Sequence, residues 1–340
     1  MKVYFAPAQK THRPESFLVA GTPRPIPEVP ERADRLLAAI DRLGLRAEAP
    51  ADAGLAPLAA VHTPEYLEFL QTIHAEWQAL GGSRDVVPGV HPNDRDGTYP
   101  RAAVGRAGYH LADTACPVGE HTWNAVRTSA NAAVAAARTV RDGADHAYAL
   151  CRPPGHHAYA DMAGGFCYLN NAAIAAQLLR GAHDRVAVLD VDLHHGNGTQ
   201  GVFYRRDDVL TVSVHVDPND FYPFFRGHAA ERGAGAGLGC NLNLPLPLGA
   251  GDDAFLAALD AALARIAAFA PGCVVLSLGL DASAEDPFGG LAVTSDGFAA
   301  IGRRVGAVDT PIALIQEGGY LSEVLGENLY RFLHAFREAR

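Results

Sequence analysis

Apolar runs and amphipathic stretches alternate along the second half of the chain. Four runs rich in Val, Ile and Leu have the length and composition of strands buried on both faces, at 186–191, 209–214, 274–278 and 312–315. The stretches with helical spacing lie at 171–180, at 255–269, from about 295, and at 324–338. This alternation predicts an α/β protein with one parallel sheet and helices on both of its faces.

The first half of the chain is less regular. We expect strands at 3–5 and 148–150 and helices at 31–43, from the capping residues 62–65 through Leu70, and at 122–140. Residues 12–30 are rich in proline and predict an irregular segment, 80–101 form a long loop, and the Gly/Ala run 232–239 predicts a flexible loop.

Composition narrows the class of protein. Apolar residues make up 49% and charged residues 19% of the 340 residues, which predicts one folded domain over 1–340 with a large core. A net charge of −10 disfavours a nucleic-acid partner and suits a small cationic substrate. Five scattered cysteines and the lack of a long apolar stretch predict a soluble, cytoplasmic protein without a membrane partner.

Two of the apolar runs end in polar residues that suit a metal site. Asp190, Asp192 and His194 follow the run at 186, Asp281 follows the run at 274, and carboxyl ends of parallel strands meet at one edge of a sheet. Asp192 and His194 are two residues apart and point the same way on an extended backbone. Taken alone, an Asp-x-His pair usually lies on the protein surface, and Asp281 taken alone is more typical of a turn or a helix cap. Together they supply three ligands and leave positions open for water and substrate.

Two further features suit amide hydrolysis. His156 and His157 are adjacent after a Pro-Pro-Gly turn, and one imidazole could act as base and later protonate a leaving amine. Tyr320 follows two glycines that allow a sharp bend, so its hydroxyl could donate to a developing oxyanion.

The motifs around these residues resemble those of the histone deacetylase family in the arginase–deacetylase superfamily. The similar segments are PPGHHA at 153–158, GGFCYLNNAA at 164–173, LDVDLHHGNGTQ at 189–200, SLGLDA at 277–282 and EGGY at 317–320. The resemblance implies an eight-stranded parallel sheet and a Zn²⁺-dependent deacetylase. The same three ligands also accept Fe²⁺ or Co²⁺.

The resemblance assigns a role to each site residue. Asp192, His194 and Asp281 correspond to the metal ligands. His157 corresponds to the general base and acid, His156 to its electrostatic partner, and Tyr320 to the carbonyl-polarising hydroxyl. Phe166 and Tyr222 correspond to the aromatic walls of a tunnel that holds the acyl chain of the substrate. A structural K⁺ site corresponds to Asp190 and Ser213, with backbone carbonyls that include those of Asp192, His194 and Val214.

Some details separate this chain from eukaryotic protein deacetylases. Many of those carry Asp where this chain has Asn197, which cannot supply a negative charge to His157. Tyr222 stands where the family often has Phe, which makes that wall more polar. Three parts of the chain resemble the bacterial acetylpolyamine amidohydrolase branch of the family: the N-terminal segment, residues 108–126 and the 72–107 insertion. In that branch the insertion builds a dimer that narrows the active-site channel. Asp113 corresponds to a carboxylate at the mouth of that channel. An aspartate on the surface with no part in binding is an equally good interpretation of this position.

We therefore expect a homodimer, or a tetramer built from it, that removes acetyl groups from small cationic acetylated amines such as acetylputrescine, acetylcadaverine and acetylspermidine. One alternative is deacetylation of acetyl-lysine in proteins or peptides, or deacylation of another small amide. A more distant alternative is a catalytically silent module that binds acetylated ligands.

Overall fold

Eight strands form one parallel sheet in the computed structural model, which describes residues 1–340. Side by side, they are β4 (Ala47–Glu48), β1 (Lys2–Tyr4), β5 (His146–Ala149), β10 (Ile312–Gln316), β9 (Cys273–Leu278), β6 (Val186–Asp190), β7 (Val209–Val216) and β8 (Asn241–Leu246). Every neighbouring pair is parallel. The predicted fold class is confirmed.

Ten α-helices accompany the sheet. They are α1 (Glu31–Arg42), α2 (Ala56–Ala59), α3 (Pro64–Ala79), α4 (Ala103–His110), α5 (Thr122–Arg141), α6 (Asn171–Arg180), α7 (Asn197–Phe203), α8 (Asp252–Phe269), α9 (Ser295–Gly306) and α10 (Leu325–Glu338). None of them is long and apolar enough to cross a membrane.

The helices bury the two faces of the sheet in separate clusters. Val186 and Val188 of β6 pack with alanines of α5 and α6, whereas Ala187 and Leu189 face the cluster that contains residues of α1, α8, α9 and α10. Because successive side chains of a strand point to opposite faces, a continuous apolar run is required where both faces are covered. The sheet is thus held between two layers, and its carboxyl edge is left for the connecting loops.

The proline-rich segment contains a hairpin, so the prediction of an irregular segment over 12–30 was wrong. Strands β2 (Ser16–Val19) and β3 (Thr22–Pro25) pair antiparallel. The two residues between them, Ala20 and Gly21, both have positive φ, as the tight turn of a hairpin requires. An alanine rarely adopts that conformation, which is why the sequence did not signal the turn.

Other elements differ from the predictions in extent. Helix α3 continues to Ala79 instead of ending near Leu70, and α4 begins within the 72–107 insertion and ends beyond it. The Gly/Ala run includes a 3-10 turn at Gly235–Gly237. Strands β4 and β8 were missed, the first because it has two residues and the second because its alternating Asn and Leu belong to a half-buried edge strand.

Candidate active site

Four neighbouring strands deliver the predicted catalytic and metal residues to one place. Strands β5, β10, β9 and β6 lie side by side, and their carboxyl ends point to the same edge of the sheet. His156 and His157 follow β5, Tyr320 follows β10, Asp281 follows β9, and His194 follows β6. The topology therefore brings together residues that are up to half the chain apart.

Asp192, His194 and Asp281 form a buried cluster with the geometry of a metal site. One ligand atom from each lies within 4.8 Å of the others. The Nδ1 atom of His194 lies 3.1 Å from Asp192 Oδ1 and 3.2 Å from Asp281 Oδ2. Burial and the nearby charge of Asp192 raise the pKa of Asp281, as expected where two carboxylates are crowded together. Two carboxylates and one imidazole fit a divalent transition-metal ion with open positions.

Backbone groups hold these carboxylates in place. The N–H of Gly318 donates to Asp192 Oδ2 over 2.8 Å, and the N–H of Leu193 donates to Asp281 Oδ1 over 3.0 Å. A Cβ atom on Gly318 would lie 2.6 Å from Asp192 Oδ2 and 2.8 Å from Asp281 Cγ. The loop after β10 can therefore approach the cluster only because this position is glycine. This cradle, together with the donor set, fits a bound metal.

His156 is surrounded by carboxylates. Its Nδ1 atom lies 3.0 Å from Asp190 Oδ2, and its Nε2 atom lies 3.7 Å from Asp192 Oδ1. Burial disfavours the charged imidazole, but the two carboxylates outweigh that effect and raise the pKa of His156 to about 10. His156 is therefore an imidazolium at neutral pH.

His157 has the opposite electrostatic environment. Burial and the neighbouring imidazoles of His156 and His194 hold its pKa well below the usual range, so the ring is neutral. Its Nδ1 atom lies 2.6 Å from the side-chain oxygen of Asn197, which can only accept a hydrogen bond. The proton therefore sits on Nδ1, and Nε2 is left able to accept another proton. Asn197 thus occupies the position behind His157 that the sequence indicated.

Tyr320 is buried against aromatic rings and a guanidinium. Its ring centroid lies 4.8 Å from that of Phe288 and 5.9 Å from that of Phe166, and the Arg32 guanidinium lies 4.8 Å from the same ring. Burial raises the pKa of Tyr320 well above its usual value, so the hydroxyl stays protonated as a hydrogen-bond donor.

Phe166 and Tyr222 contact different residues of the site, Phe166 the ring of Tyr320 and Tyr222 the rings of His157 and His194. Phe166 has a positive φ of 67° and only 7% of its surface is exposed. The Tyr222 ring lies 5.0 Å from the His157 ring and 6.1 Å from the His194 ring, in both cases edge to face. Phe221 and Phe288 also contact His194, at 5.5 and 5.6 Å between ring centroids, and neither was predicted. Single aromatic residues in loops carry no sequence signal that separates a site wall from a core position.

Asp113 lies beside this aromatic wall and is half-buried. Its Oδ2 atom accepts a hydrogen bond from the Tyr222 hydroxyl over 2.8 Å and from the Gly165 N–H over 3.2 Å. Its Oδ1 atom accepts one from the Ala115 N–H over 2.8 Å. Asp113 is thus hydrogen-bonded to Tyr222 and to the segment that precedes Phe166, and its place in the substrate site stays a prediction.

The residues suggested for a K⁺ site lie on two paired strands. Asp190 is opposite Ser213 in the register of β6 and β7, and Val214 follows Ser213. All three are at least nine-tenths buried, and Asp190 Oδ1 accepts from the Asp192 N–H over 3.1 Å. The Ser213 hydroxyl lies 2.7 Å from the His215 Nδ1 atom. These residues and the loop carrying His194 are therefore close together.

Three charged residues of the site were not predicted. Glu317 accepts hydrogen bonds from the N–H groups of Gly155 and His156, and it thereby joins the loops after β10 and β5. Arg32 donates to the carbonyl oxygens of Glu317 and Gly319, and Asp286 accepts from the N–H of Tyr320. Glu317 lies within the EGGY motif and could have been found there. Arg32 and Asp286 act through contacts distant in sequence, which leave no local pattern.

Comparison with known proteins identifies the family. The histone deacetylase domain model matches residues 26–336. The chain is 51% identical to an acetylpolyamine amidohydrolase of Burkholderia pseudomallei, with both chains covered completely, and 47% identical to acetylpolyamine amidohydrolase 1 of Pseudomonas aeruginosa, with 97% of each covered. A crystal structure of the Burkholderia pseudomallei enzyme superposes with a TM-score of 0.97 and covers 100% of this chain and 99% of that one.

Fold and site define a hydrolase of the arginase–deacetylase fold, and the comparisons specify it further. The chain belongs to the histone deacetylase family and is similar to its bacterial acetylpolyamine amidohydrolases. Membership implies a deacetylase with a catalytic divalent metal, for which Asp192, His194 and Asp281 form the candidate site.

Proposed function

We propose that this protein hydrolyses the acetyl amide of N-acetylated polyamines, the class that includes acetylputrescine, acetylcadaverine and acetylspermidine. The observation that carries the substrate class is Asp113, a carboxylate beside the aromatic wall whose hydrogen-bond donors are all neutral. An ammonium group is the natural partner for such a carboxylate. The full-length similarity to proteins named acetylpolyamine amidohydrolases supports the same assignment.

We propose Asp192, His194 and Asp281 as the ligands of Zn²⁺, with Fe²⁺ or Co²⁺ as ions that the same donors accept. When bound, the ion would lower the pKa of a water molecule and polarise the acetyl carbonyl. The protein's part is to bury the two carboxylates and to fix their orientation, which the backbone N–H groups of Gly318 and Leu193 do.

The two histidines divide the proton chemistry between them. His157 is neutral and has a free Nε2 atom, so it accepts a proton from the attacking water and later donates it to the departing amine nitrogen. The bond that breaks is the amide C–N bond, and the products are acetate and the free amine. His156, as an imidazolium fixed by Asp190, stabilises the negative charge that develops beside it.

Tyr320 and the aromatic walls complete the proposed site. The protonated Tyr320 hydroxyl donates a hydrogen bond to the carbonyl oxygen as that oxygen gains negative charge. Phe166 and Tyr222 enclose the methylene chain of the substrate and exclude water from it. Asp113 binds the ammonium group beyond them.

We further propose a structural K⁺ site formed by Asp190, Ser213 and backbone carbonyls that include those of Asp192, His194 and Val214. The register of β6 and β7 supports it, because it sets Asp190 opposite Ser213. A cation there would brace the loop that carries the metal ligands without taking part in the reaction.

The 72–107 insertion is the proposed dimer interface and channel lid of a single deacetylase domain over 1–340. Twelve large apolar side chains of the chain are exposed, and four of them lie in this short insertion: Leu80, Val90, Tyr99 and Val104. An excess of exposed apolar residues in one segment is typical of a segment that associates with a partner. A cytoplasmic location is supported by five free cysteines, of which four are buried.

Steady-state kinetics of the Zn²⁺-loaded protein test the proposal. N-acetylputrescine, N-acetylspermidine and an acetyl-lysine peptide are compared side by side, and we expect kcat/KM to favour the polyamines by about tenfold or more, a difference of about 1.4 kcal/mol. A preference for the peptide would instead support the protein-deacetylase alternative and would overturn the narrow-channel argument. Binding without turnover of any of them would support the silent module.

A further inference from the structure

Asp113 joins the two aromatic walls of the proposed substrate channel. Its Oδ2 atom accepts a hydrogen bond from the N–H of Gly165, the residue before Phe166, over 3.2 Å. The same oxygen accepts a hydrogen bond from the Tyr222 hydroxyl over 2.8 Å. One carboxylate oxygen therefore fixes the position of both walls relative to each other.

The backbone next to Asp113 is shaped to permit this contact. A Cβ atom on Gly164 would lie 3.5 Å from Asp113 Oδ2 and 3.4 Å from the Tyr222 hydroxyl oxygen. Gly165 has a φ of +51°, and a Cβ atom there would lie 2.9 Å from the same hydroxyl. A Cβ at 164 would make ordinary contacts with this pair, whereas glycine is required at 165 for the main chain to approach the Tyr222 hydroxyl so closely.

The Tyr222 hydroxyl is a permanent donor to this carboxylate. Burial, with the adjacent charge of Asp113, raises the pKa of Tyr222 well above its usual value, so the phenol stays protonated. The other donors to the side chain of Asp113 are the N–H groups of Gly165 and Ala115 and the thiol of Cys116. All four donors are neutral, so they orient the carboxylate but leave its negative charge in place.

We propose that Tyr222 is a positioning residue for substrate charge: its hydroxyl aims the Asp113 carboxylate so that it binds the ammonium group of a short acetylated diamine. This inference rests on the proposed function. The Tyr222 ring lies against the His157 ring at 5.0 Å, so the carboxylate is separated from the proposed base by a single phenol side chain. A phenylalanine at this position would form the same wall but could not hold the carboxylate.

Because the proposed role concerns charge, it predicts a difference between a cationic and a neutral substrate that share the same four-carbon chain. We would compare N-acetylputrescine with N-butylacetamide, which lacks the terminal ammonium, on the Zn²⁺-loaded wild type and on Tyr222→Phe. We expect Tyr222→Phe to raise KM for acetylputrescine about tenfold, the effect of a hydrogen bond to a charged group, with kcat within about twofold. KM for N-butylacetamide should not change.

A double-mutant cycle tests whether Tyr222 acts through Asp113. Asp113→Asn should raise KM for acetylputrescine at least as much as Tyr222→Phe, and adding Tyr222→Phe to it should have no further effect. Tyr330→Phe removes a hydroxyl on α10, away from the site, and serves as the matched control with wild-type constants.

Several results would overturn the inference. Equal increases in KM for the charged and neutral substrates would mean that the hydroxyl only supports wall packing. If Tyr222→Phe left KM for acetylputrescine unchanged, and Asp113→Asn raised KM for acetylputrescine but not for N-butylacetamide, Asp113 would remain the cation site and Tyr222 would have no part in it. If the wild type itself does not prefer acetylputrescine to an acetyl-lysine peptide, the proposed function fails independently of these variants.

Discussion

Replacing Gly318 by alanine should weaken metal binding without unfolding the protein. Gly318 lies in the loop after β10, and its N–H donates to Asp192. Its φ lies outside the left-handed region, so alanine meets no backbone penalty there. The added methyl group would instead collide with the carboxylates of Asp192 and Asp281, two of the three proposed metal ligands.

The size of the effect follows from the distances. The new Cβ would lie 2.6 Å from Asp192 Oδ2, whereas ordinary contacts begin at 3.4 Å. Because the contact with Asp281 Oδ2 is closer still, a ligand or the loop must move by at least about 0.8 Å, while metal–ligand distances tolerate only about 0.2 Å. Disturbing groups that orient metal ligands typically costs about 10- to 100-fold in affinity, or about 1.4–2.7 kcal/mol.

The assay is competition for Zn²⁺ between the protein and a chelator of known affinity, with the melting temperature recorded in parallel. Gly89→Ala is the control, because Gly89 is exposed, has no left-handed φ, and would place a Cβ with nothing within 4 Å. If Gly318→Ala bound Zn²⁺ as tightly as Gly89→Ala, the assignment of this cradle to the metal site would be refuted.

Three further changes have defined outcomes. Tyr320→Phe should retain the metal and lower kcat by about 10²–10³-fold, as for loss of an oxyanion donor, and an unchanged kcat would remove Tyr320 from the mechanism. Asn197→Asp places a negative charge beside His157, which is neutral in the wild type, and so raises the pKa of that base. Because only the unprotonated base is active, the acid limb of kcat/KM should move to higher pH by about one to three pH units, and an unmoved limb would argue against His157 as the base. Phe332→Ala removes a fully buried ring of α10 and should lower the free energy of unfolding by about 3–5 kcal/mol in denaturant titrations, whereas a change below about 1 kcal/mol would contradict its place in the core.

The sheet and the metal cluster could be anticipated because their signals are local. A strand such as β6 is covered on both faces and must be continuously apolar, and the topology of a parallel sheet carries the polar residues that follow such strands to one edge. For this reason Asp192 and His194 could be identified as candidate ligands from the sequence alone. Long, specific motifs such as LDVDLHHGNGTQ then assigned their roles by resemblance.

Features that depend on contacts between distant segments could not be anticipated. Arg32 looks like any charged residue on an amphipathic helix, yet it contacts the loop of Tyr320 almost three hundred positions away. The hydrogen bond between Tyr222 and Asp113 spans 109 positions, and the main chain passes close to it because residue 165 is glycine. Such contacts are set by tertiary packing, and neither hydrophobic periodicity nor residue spacing reports them.

Metal removal and restoration, followed by product analysis, tests the proposed mechanism most directly. The protein is stripped with a chelator, Zn²⁺ is added back in known steps, and acetate and putrescine released from N-acetylputrescine are both measured. We predict no turnover without metal, equimolar acetate and putrescine, and a rate that rises linearly to one Zn²⁺ per chain, as a single three-ligand cluster requires. Turnover by the metal-free protein, or a rate that saturates only at two ions per chain, would contradict the account.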